Sequence, residues 1–308
     1  MPISDSRKTN RFSYIDIMKF VFSILIVMFH YSTHFGFPLF PGGRIAVEGY
    51  FMISGFFMMR SIKRQKKERS LGADTVHFIA HKYSALLQFL LPSVIVAEIV
   101  MESISAKPAL QIVKEIPLLF FEIVPLLSLG YKGVHVIGIS WYLSAMLIAL
   151  AILYPLCKKF KENFILCFGI PAVLMIYGFL SHVNIHLAVP MWLDDFPVPT
   201  GILRGIAGCL AGCILYECSE RISNKKLTGS GRVLLIALEM CGYIYFFYVI
   251  QKYPKSNYDY LLVFLLFGLL LVGISGITGL SKYYSTSKTS VLGTYLQYIV
   301  CIESLLLE

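Results

Sequence analysis

Four ionisable side chains interrupt apolar runs near the start of the chain: Asp16, Lys19 and His30 within residues 13–33, and Glu48 at the head of residues 45–60. Both runs are apolar enough to enter a bilayer, where an ionisable group is costly and so points to function. Lys19 and His30 stand eleven positions apart, which on a helix lies within about 20° of a whole number of turns and gives about 16 Å of rise. They share one face, with Lys19 in the inner part of the span and His30 near its outer end. Asp16, one turn from Lys19, can pair with it and share the cost of burial. A neutral imidazole is suited to taking a proton from a hydroxyl near neutral pH, and the Glu48 carboxylate, entering the next span at a matching depth, can orient it. Lys19 is suited to holding a phosphate. The plainer reading of the same residues is interfacial: Lys19 snorkels to the headgroups, Asp16 neutralises it, and His30 keeps its polar end wet.

Other polar residues leave alternatives open. Arg204, near the outer end of residues 200–217, reads either as a substrate ligand or as the partner of Glu98, because an intramembrane charge needs a partner. Glu239 stands mid-span with no cationic neighbour in sequence, so it is protonated or paired through the tertiary structure. Trp141 and Tyr142 fall at a membrane boundary, where aromatics act as anchors; Trp141 is also suited to stacking on a sugar. Three histidine pairs, His30 with His34, His77 with His81 and His182 with His186, have helical metal-ligand spacing. No third ligand is fixed and H-E-x-x-H is absent, so no metal site is expected. Gly208 and Gly212 form a G-x-x-x-G step suited to close helix packing inside a bundle.

The elements that must hold these residues are membrane helices. The chain has 308 residues, 57% of them hydrophobic and only 15% charged, with a mean hydropathy of +0.71. That is more apolar surface than a soluble domain of this length can bury. Apolar runs at 13–33, 45–60, 83–104, 139–157, 163–180, 200–217, 232–250, 259–280 and 290–306 are near the length a helix needs to span. The expected fold is therefore an all-α, polytopic integral membrane helix bundle of about nine to ten transmembrane helices, in a single domain over residues 1–308. The net charge of +9 collects in short loops, chiefly the cluster over residues 60–69, Lys158, Lys159 and Lys161, and Arg221, Lys225 and Lys226. This follows the positive-inside rule, puts the N-terminus and the basic loops in the cytoplasm, and argues against a nucleic-acid partner. The first run lacks a small-residue cleavage site and is expected to remain as an anchor. Residues 116–129, apolar but short and holding Pro117, Glu122 and Pro125, read as a half-helix or re-entrant segment outside. The seven cysteines lack C-x-x-C spacing and read as reduced packing residues.

Taken in order, the polar motifs resemble the membrane acyltransferase family 3. The family carries an Arg, ten intervening residues and a His in its first span, and Lys19-x10-His30 has that spacing. Its next span reads G-V-D/E-x-F-F-x-x-S-G-F, which Ala46-Val-Glu-Gly-Tyr-Phe-Met-Ile-Ser-Gly-Phe56 follows with Ala46 in the Gly position. His77-Phe-Ile-Ala-His-Lys-Tyr-Ser, leading to Pro92, is similar to the basic entry of the third span. Ser140-Trp-Tyr-Leu-Ser-Ala-Met146 looks like the W-Y/F-L-S segment, and Leu203-Arg-Gly-Ile-Ala-Gly-Cys-Leu-Ala-Gly212 like the R-G-x-x-x-F-x-x-G span. Two departures stand out. Lys19 replaces the family's Arg, keeping charge but losing the planar fork that grips phosphate at two points. The closing segment Leu292-Gly-Thr-Tyr-Leu-Gln-Tyr-Ile-Val-Cys301 has the family's Leu-Gly and aromatics without its terminal His.

The resemblance implies an O-acyltransferase in the cytoplasmic membrane, with acyl-CoA, most often acetyl-CoA in the family, as donor substrate and no permanently bound cofactor. The acceptor would be a hydroxyl of a cell-envelope glycan, an exopolysaccharide or a lipid-linked saccharide precursor, met among membrane lipids. His30 would be the general base, Glu48 its orienting or electrostatic partner, Lys19 with Asp16 the donor-side cation, and Ser54, Trp141 and Arg204 residues that shape the site. Two rivals stand beside it: a transporter or flippase for a glycan precursor, in which the same charges form a substrate path, and a non-catalytic relative serving as a scaffold.

Overall fold

The computed structural model describes residues 3–65, 69–105, 114, 116–124, 126–129, 140–184, 186–187, 198–223, 225, 227, 229–256 and 258–280, with side chains in the first helix from residue 13 on. Among them every regular element is helical: α1 (Ile3–Phe35), α2 (Ala46–Arg64), α3 (Leu71–Ser105), α4 (Ser140–Asn163), α5 (Ile170–Val183), α6 (Thr200–Ser223), α7 (Ser230–Lys252) and α8 (Asp259–Ser275). Six helical stretches are long and apolar enough to cross a membrane, and Asp259–Ser275 is a shorter apolar helix. This makes the chain a helical membrane bundle. The described residues do not reach the expected nine to ten spans, and the run at 290–306 lies outside them.

One of the six stretches, Ser140–Val183, is 44 residues long, about 66 Å if straight, roughly twice a hydrocarbon core. It doubles back. Lys161 leaves helical geometry at φ 53° and ψ −139°, a left-handed φ that a side chain adopts only under local strain. Trp141 at the start of α4 and Tyr177 in α5 consequently meet the same group, the Glu48–Arg204 pair. Lys158, near the turn, reaches Asp74 at the opposite end.

α2 and α6 form the centre: 83% of the most apolar stretch of α6 is buried and 67% of that of α2, against 22% for α3 and for α7. Small residues let the two backbones touch. A Cβ on Gly55 would strike the Cys209 carbonyl, one on Gly212 the Met52 carbonyl, and one on Gly208 would lie 2.5 Å from the Phe51 Cβ. The G-x-x-x-G step thus packs helix on helix inside the bundle, as its spacing predicts. The six described cysteines are free thiols, three of them buried.

The bundle has two chemically distinct ends. At one end Asp74 takes contacts from Lys158 and Gln65, Lys63 lies 3.0 Å from Glu217, and Arg221 meets Glu162. At the other end stand Glu48, Arg204, Trp141 and a buried pair between Arg44 and Asp259. The segment at 116–129 consists of short helical turns, Ile116–Leu119, Phe120–Ile123 and Leu127–Leu129, none long enough to cross. It tucks against the bundle: Tyr83 donates to the Ile123 carbonyl at 3.1 Å, and the Ser128 hydroxyl donates to the Trp141 carbonyl at 2.8 Å. The Tyr83 bond, and the Ser128 N–H donating to the Ser144 hydroxyl at 3.1 Å, satisfy irregular backbone inside the bundle, the condition for keeping it at membrane depth.

Candidate active site

Side chains from α5 and α6 converge on Glu48 in α2. A helical turn over Gly43–Ile45 leads into α2 and sets Glu48 in its first turn, where a carboxylate complements the helix dipole. Glu48 is fully buried. One carboxylate oxygen accepts from Arg204 Nε at 2.8 Å and lies 2.7 Å from Nη2, while the other accepts from the Tyr177 hydroxyl at 2.6 Å. A buried ion pair persists in low dielectric only with such hydrogen bonding around it. Arg204 therefore pairs with Glu48, where the sequence offered Glu98. Its guanidinium also sits over the Trp141 ring at 5.1 Å, so Trp141 belongs to the interior network, not only to the membrane rim.

Beside this network two cavities meet. The larger, about 340 Å³, is lined by Lys19 and Lys82, by Tyr50, Ser54, Phe57 and Tyr142, and by His30 and Trp141, with apolar walls between. The smaller, about 250 Å³, is lined by His30, Arg44, Trp141, Thr200 and Arg204 among others. His30 and Trp141 line both, so they stand at the junction. Lys19 and His30 do face one cavity, as their helical spacing predicts. A third cavity, about 450 Å³, lies at the basic end between Arg60, Arg64, His77 and His81, and shares Phe57 with the larger of those two. Lys19 and Arg60 both approach the Phe57 ring, at 5.1 and 5.9 Å. A row of cations therefore leads from the basic end into the bundle.

The sequence-derived residues divide accordingly. Asp16 pairs with Lys19 at 3.5 Å, as their one-turn spacing predicts. The Lys19 carbonyl accepts from Tyr50 and Ser23, which fixes the α1 and α2 faces of the large cavity against each other. Ser54 is buried and donates to the Met146 sulfur at 3.0 Å. Arg204, Glu48 and Trp141 form one cluster and Lys19 with Asp16 another, with His30 on the cavity wall between them. Glu239 is buried, with Oε2 unpartnered and its carboxyl facing Thr278, away from both clusters. No three His, Cys, Asp or Glu side chains converge among the described residues.

Three residues escaped the sequence reading. Lys82 lines the large cavity close enough to Lys19 for their charges to interact; its signal was a lysine at the entry of the apolar run over 83–104. Tyr177 gives no sequence signal beyond an aromatic in an apolar helix. Arg44, after two glycines, is 7% exposed and pairs with Asp259 at 2.5 Å.

The fold and these cavities define an integral membrane helix bundle with a polar, histidine-bearing chamber in its interior. The chain belongs to acyltransferase family 3: the family model, described as an acyltransferase domain, matches residues 12–299. It is thus a membrane acyltransferase by family. No curated protein and no solved structure gives a significant match to the chain.

Proposed function

We propose that the chain is an O-acyltransferase that moves an acyl group, acetyl in the simplest case, from acyl-CoA to a hydroxyl of a cell-envelope glycan, an exopolysaccharide or a lipid-linked saccharide. One observation carries this reading: Lys19 and His30 line a single cavity, with the cations toward the basic end and His30 where the second cavity begins. The gathering of basic residues at one end supports a cytoplasmic placement of that end and of the N-terminus. It also favours an anionic donor entering there.

In this scheme the coenzyme A moiety lies along Lys19 and Lys82, with Asp16 holding Lys19 in place. The thioester carbonyl reaches His30. The imidazole accepts the proton of the acceptor hydroxyl as its oxygen attacks the carbonyl carbon. Collapse of the tetrahedral intermediate breaks the C–S bond, and the coenzyme A thiolate takes the proton back from His30. The products are the acyl ester and free coenzyme A, with no net proton change. The Glu48 oxygens are bonded to Arg204 and Tyr177, so in place of the orienting contact with His30 expected from the sequence, Glu48 acts by holding Arg204 and, through it, Trp141 at the junction, while Ser54 shapes the wall.

The test is mass spectrometry of surface glycans from cells expressing wild type, His30→Ala or nothing, with all proteins verified in membranes. An acyl mass increment seen only with wild type is the expected result. The same increment with His30→Ala would sink the mechanism, and its absence with wild type across a range of glycans would sink the activity.

A further inference from the structure

The acyl transfer scheme leaves the third cavity, at the basic end, without a role. Arg60 and Arg64 of α2 and His77 and His81 of α3 line it, each pair four residues apart and so on one face of its helix. Arg64, His77 and His81 are exposed, so a ligand in the cavity reaches them. Among the described residues the one carboxylate on the wall, Asp74, is taken by Lys158 and Gln65. Arg64 is left without a carboxylate partner among those residues.

The place of the cavity says which anion it suits. It meets the large cavity at Phe57, whose ring is approached by both Lys19 and Arg60. Lys82, on the wall of the large cavity, stands one residue past His81 and about 7.5 Å of helix rise from His77. In coenzyme A a single ribose separates the pyrophosphate from the 3′-phosphate. A pyrophosphate held by Lys19 and Lys82 therefore puts that phosphate monoester at the mouth of this cavity. Guanidinium and imidazolium groups bind a phosphate through charge-assisted hydrogen bonds. Phe78 and Tyr154, stacked at 4.6 Å on the same wall, offer an aromatic surface of the kind on which a purine packs.

We infer that the cavity between Arg60, Arg64, His77 and His81 is a phosphate-monoester site that selects donors bearing the ribose 3′-phosphate and holds them in a proton-linked way. The inference rests on the donor side of the function proposed above. A guanidinium keeps its charge at every working pH, whereas an imidazole adds charge only when protonated. The other ionisable groups around the two imidazoles are Asp74 and Lys82 on α3 and Tyr154 and Lys158 on α4. Imidazole is the one side-chain type in this set whose unperturbed pKa lies near neutrality. A bound phosphate favours the protonated imidazole. The added hold is therefore full below the ordinary imidazole pKa of about 6.5 and is lost as pH rises through the raised value of the complex.

The experiment reads binding without turnover. Full-length protein in phosphatidylcholine nanodiscs is titrated calorimetrically with coenzyme A and with 3′-dephospho-coenzyme A, at about pH 6.5 and at about pH 8. Over that interval a phosphate monoester, with its second pKa at about 6, is already mostly dianionic, while a free imidazole goes from about half charged to nearly neutral. Coenzyme A is expected to bind about tenfold more tightly than the dephospho compound at the lower pH, and about threefold or less at the higher. In the double variant His77→Arg/His81→Arg the preference should stay about tenfold at both. Equal binding of the two compounds at the lower pH, a wild-type preference that ignores pH, or a double variant whose preference falls as the wild type's does would overturn the site. The wild-type comparison does not depend on the variant folding. Adding phosphatidylglycerol to the discs should leave the preference in place; its loss there would assign the cavity to a lipid headgroup and overturn the inference. Preference for the 3′-phosphate without acyl transfer to any glycan would sink the proposed activity and leave the site standing. Acyl transfer with binding indifferent to that phosphate would do the reverse.

Discussion

Arg204 and Glu48, 156 positions apart in the chain, form a buried pair in which one carboxylate oxygen meets both Nε and Nη2 of the guanidinium, at 2.8 and 2.7 Å. The second oxygen belongs to Tyr177. This cluster ties α2, α5 and α6 together at the end of the bundle where His30 and Trp141 also stand. Breaking it leaves a charge inside the membrane. Arg204→Gln and Glu48→Gln should each cost about 3–5 kcal/mol, and Tyr177→Phe about 1–3 kcal/mol. Thermal unfolding of the solubilised protein, followed by loss of monodisperse material, checks the order; a Tyr177→Phe loss as large as that of Arg204→Gln would contradict it.

His30→Gln should lower turnover by about a hundredfold to ten-thousandfold, the range of a general base. The KM for acyl-CoA should change little, because Lys19, the proposed donor-side cation, lies about 16 Å away along α1. Steady-state kinetics on membranes with matched protein levels gives both constants. A rise in KM with turnover preserved would reassign His30 to binding.

Lys19 tests the opposite end. Lys19→Ala should raise the KM for acyl-CoA about tenfold, as expected for loss of one charge-assisted contact of about 1.4 kcal/mol. Lys19→Arg should lower it by restoring a fork that holds phosphate at two points. The pair of variants is read from KM against kcat; equal constants in all three proteins would place Lys19 outside the donor path.

The glycines of the α2–α6 contact make a packing prediction. Gly55→Leu and Gly212→Leu meet backbone carbonyls of the facing helix and should abolish accumulation of folded protein, since backbone cannot yield as a side-chain tip can. Gly178→Ala in α5 meets nothing within 4 Å and should be neutral or stabilise by about 0.5–1 kcal/mol through helix propensity. Size-exclusion profiles from crude membrane extracts separate the two outcomes.

Local periodicity made a good part of this protein legible in its sequence. The Asp16–Lys19 pair, the common face of Lys19 and His30, the membrane helices and the close packing at Gly208 and Gly212 all follow from spacing along one helix, which the chain carries with it wherever that helix docks. The break at Lys161 was legible too, since basic residues between two apolar runs imply a turn.

Partnership across helices was not legible. Sequence shows that Arg204 needs a carboxylate, but the choice of Glu48 over Glu98 depends on which helix ends meet. Tyr177, Lys82 and the Arg44–Asp259 pair reach the site from segments whose patterns say only that they are apolar or lie beside a loop. Spacing within a helix is fixed by 3.6 residues per turn. Contact between helices is fixed by where small residues let backbones approach, as Gly55 and Gly212 do, and that is decided only when the whole bundle packs.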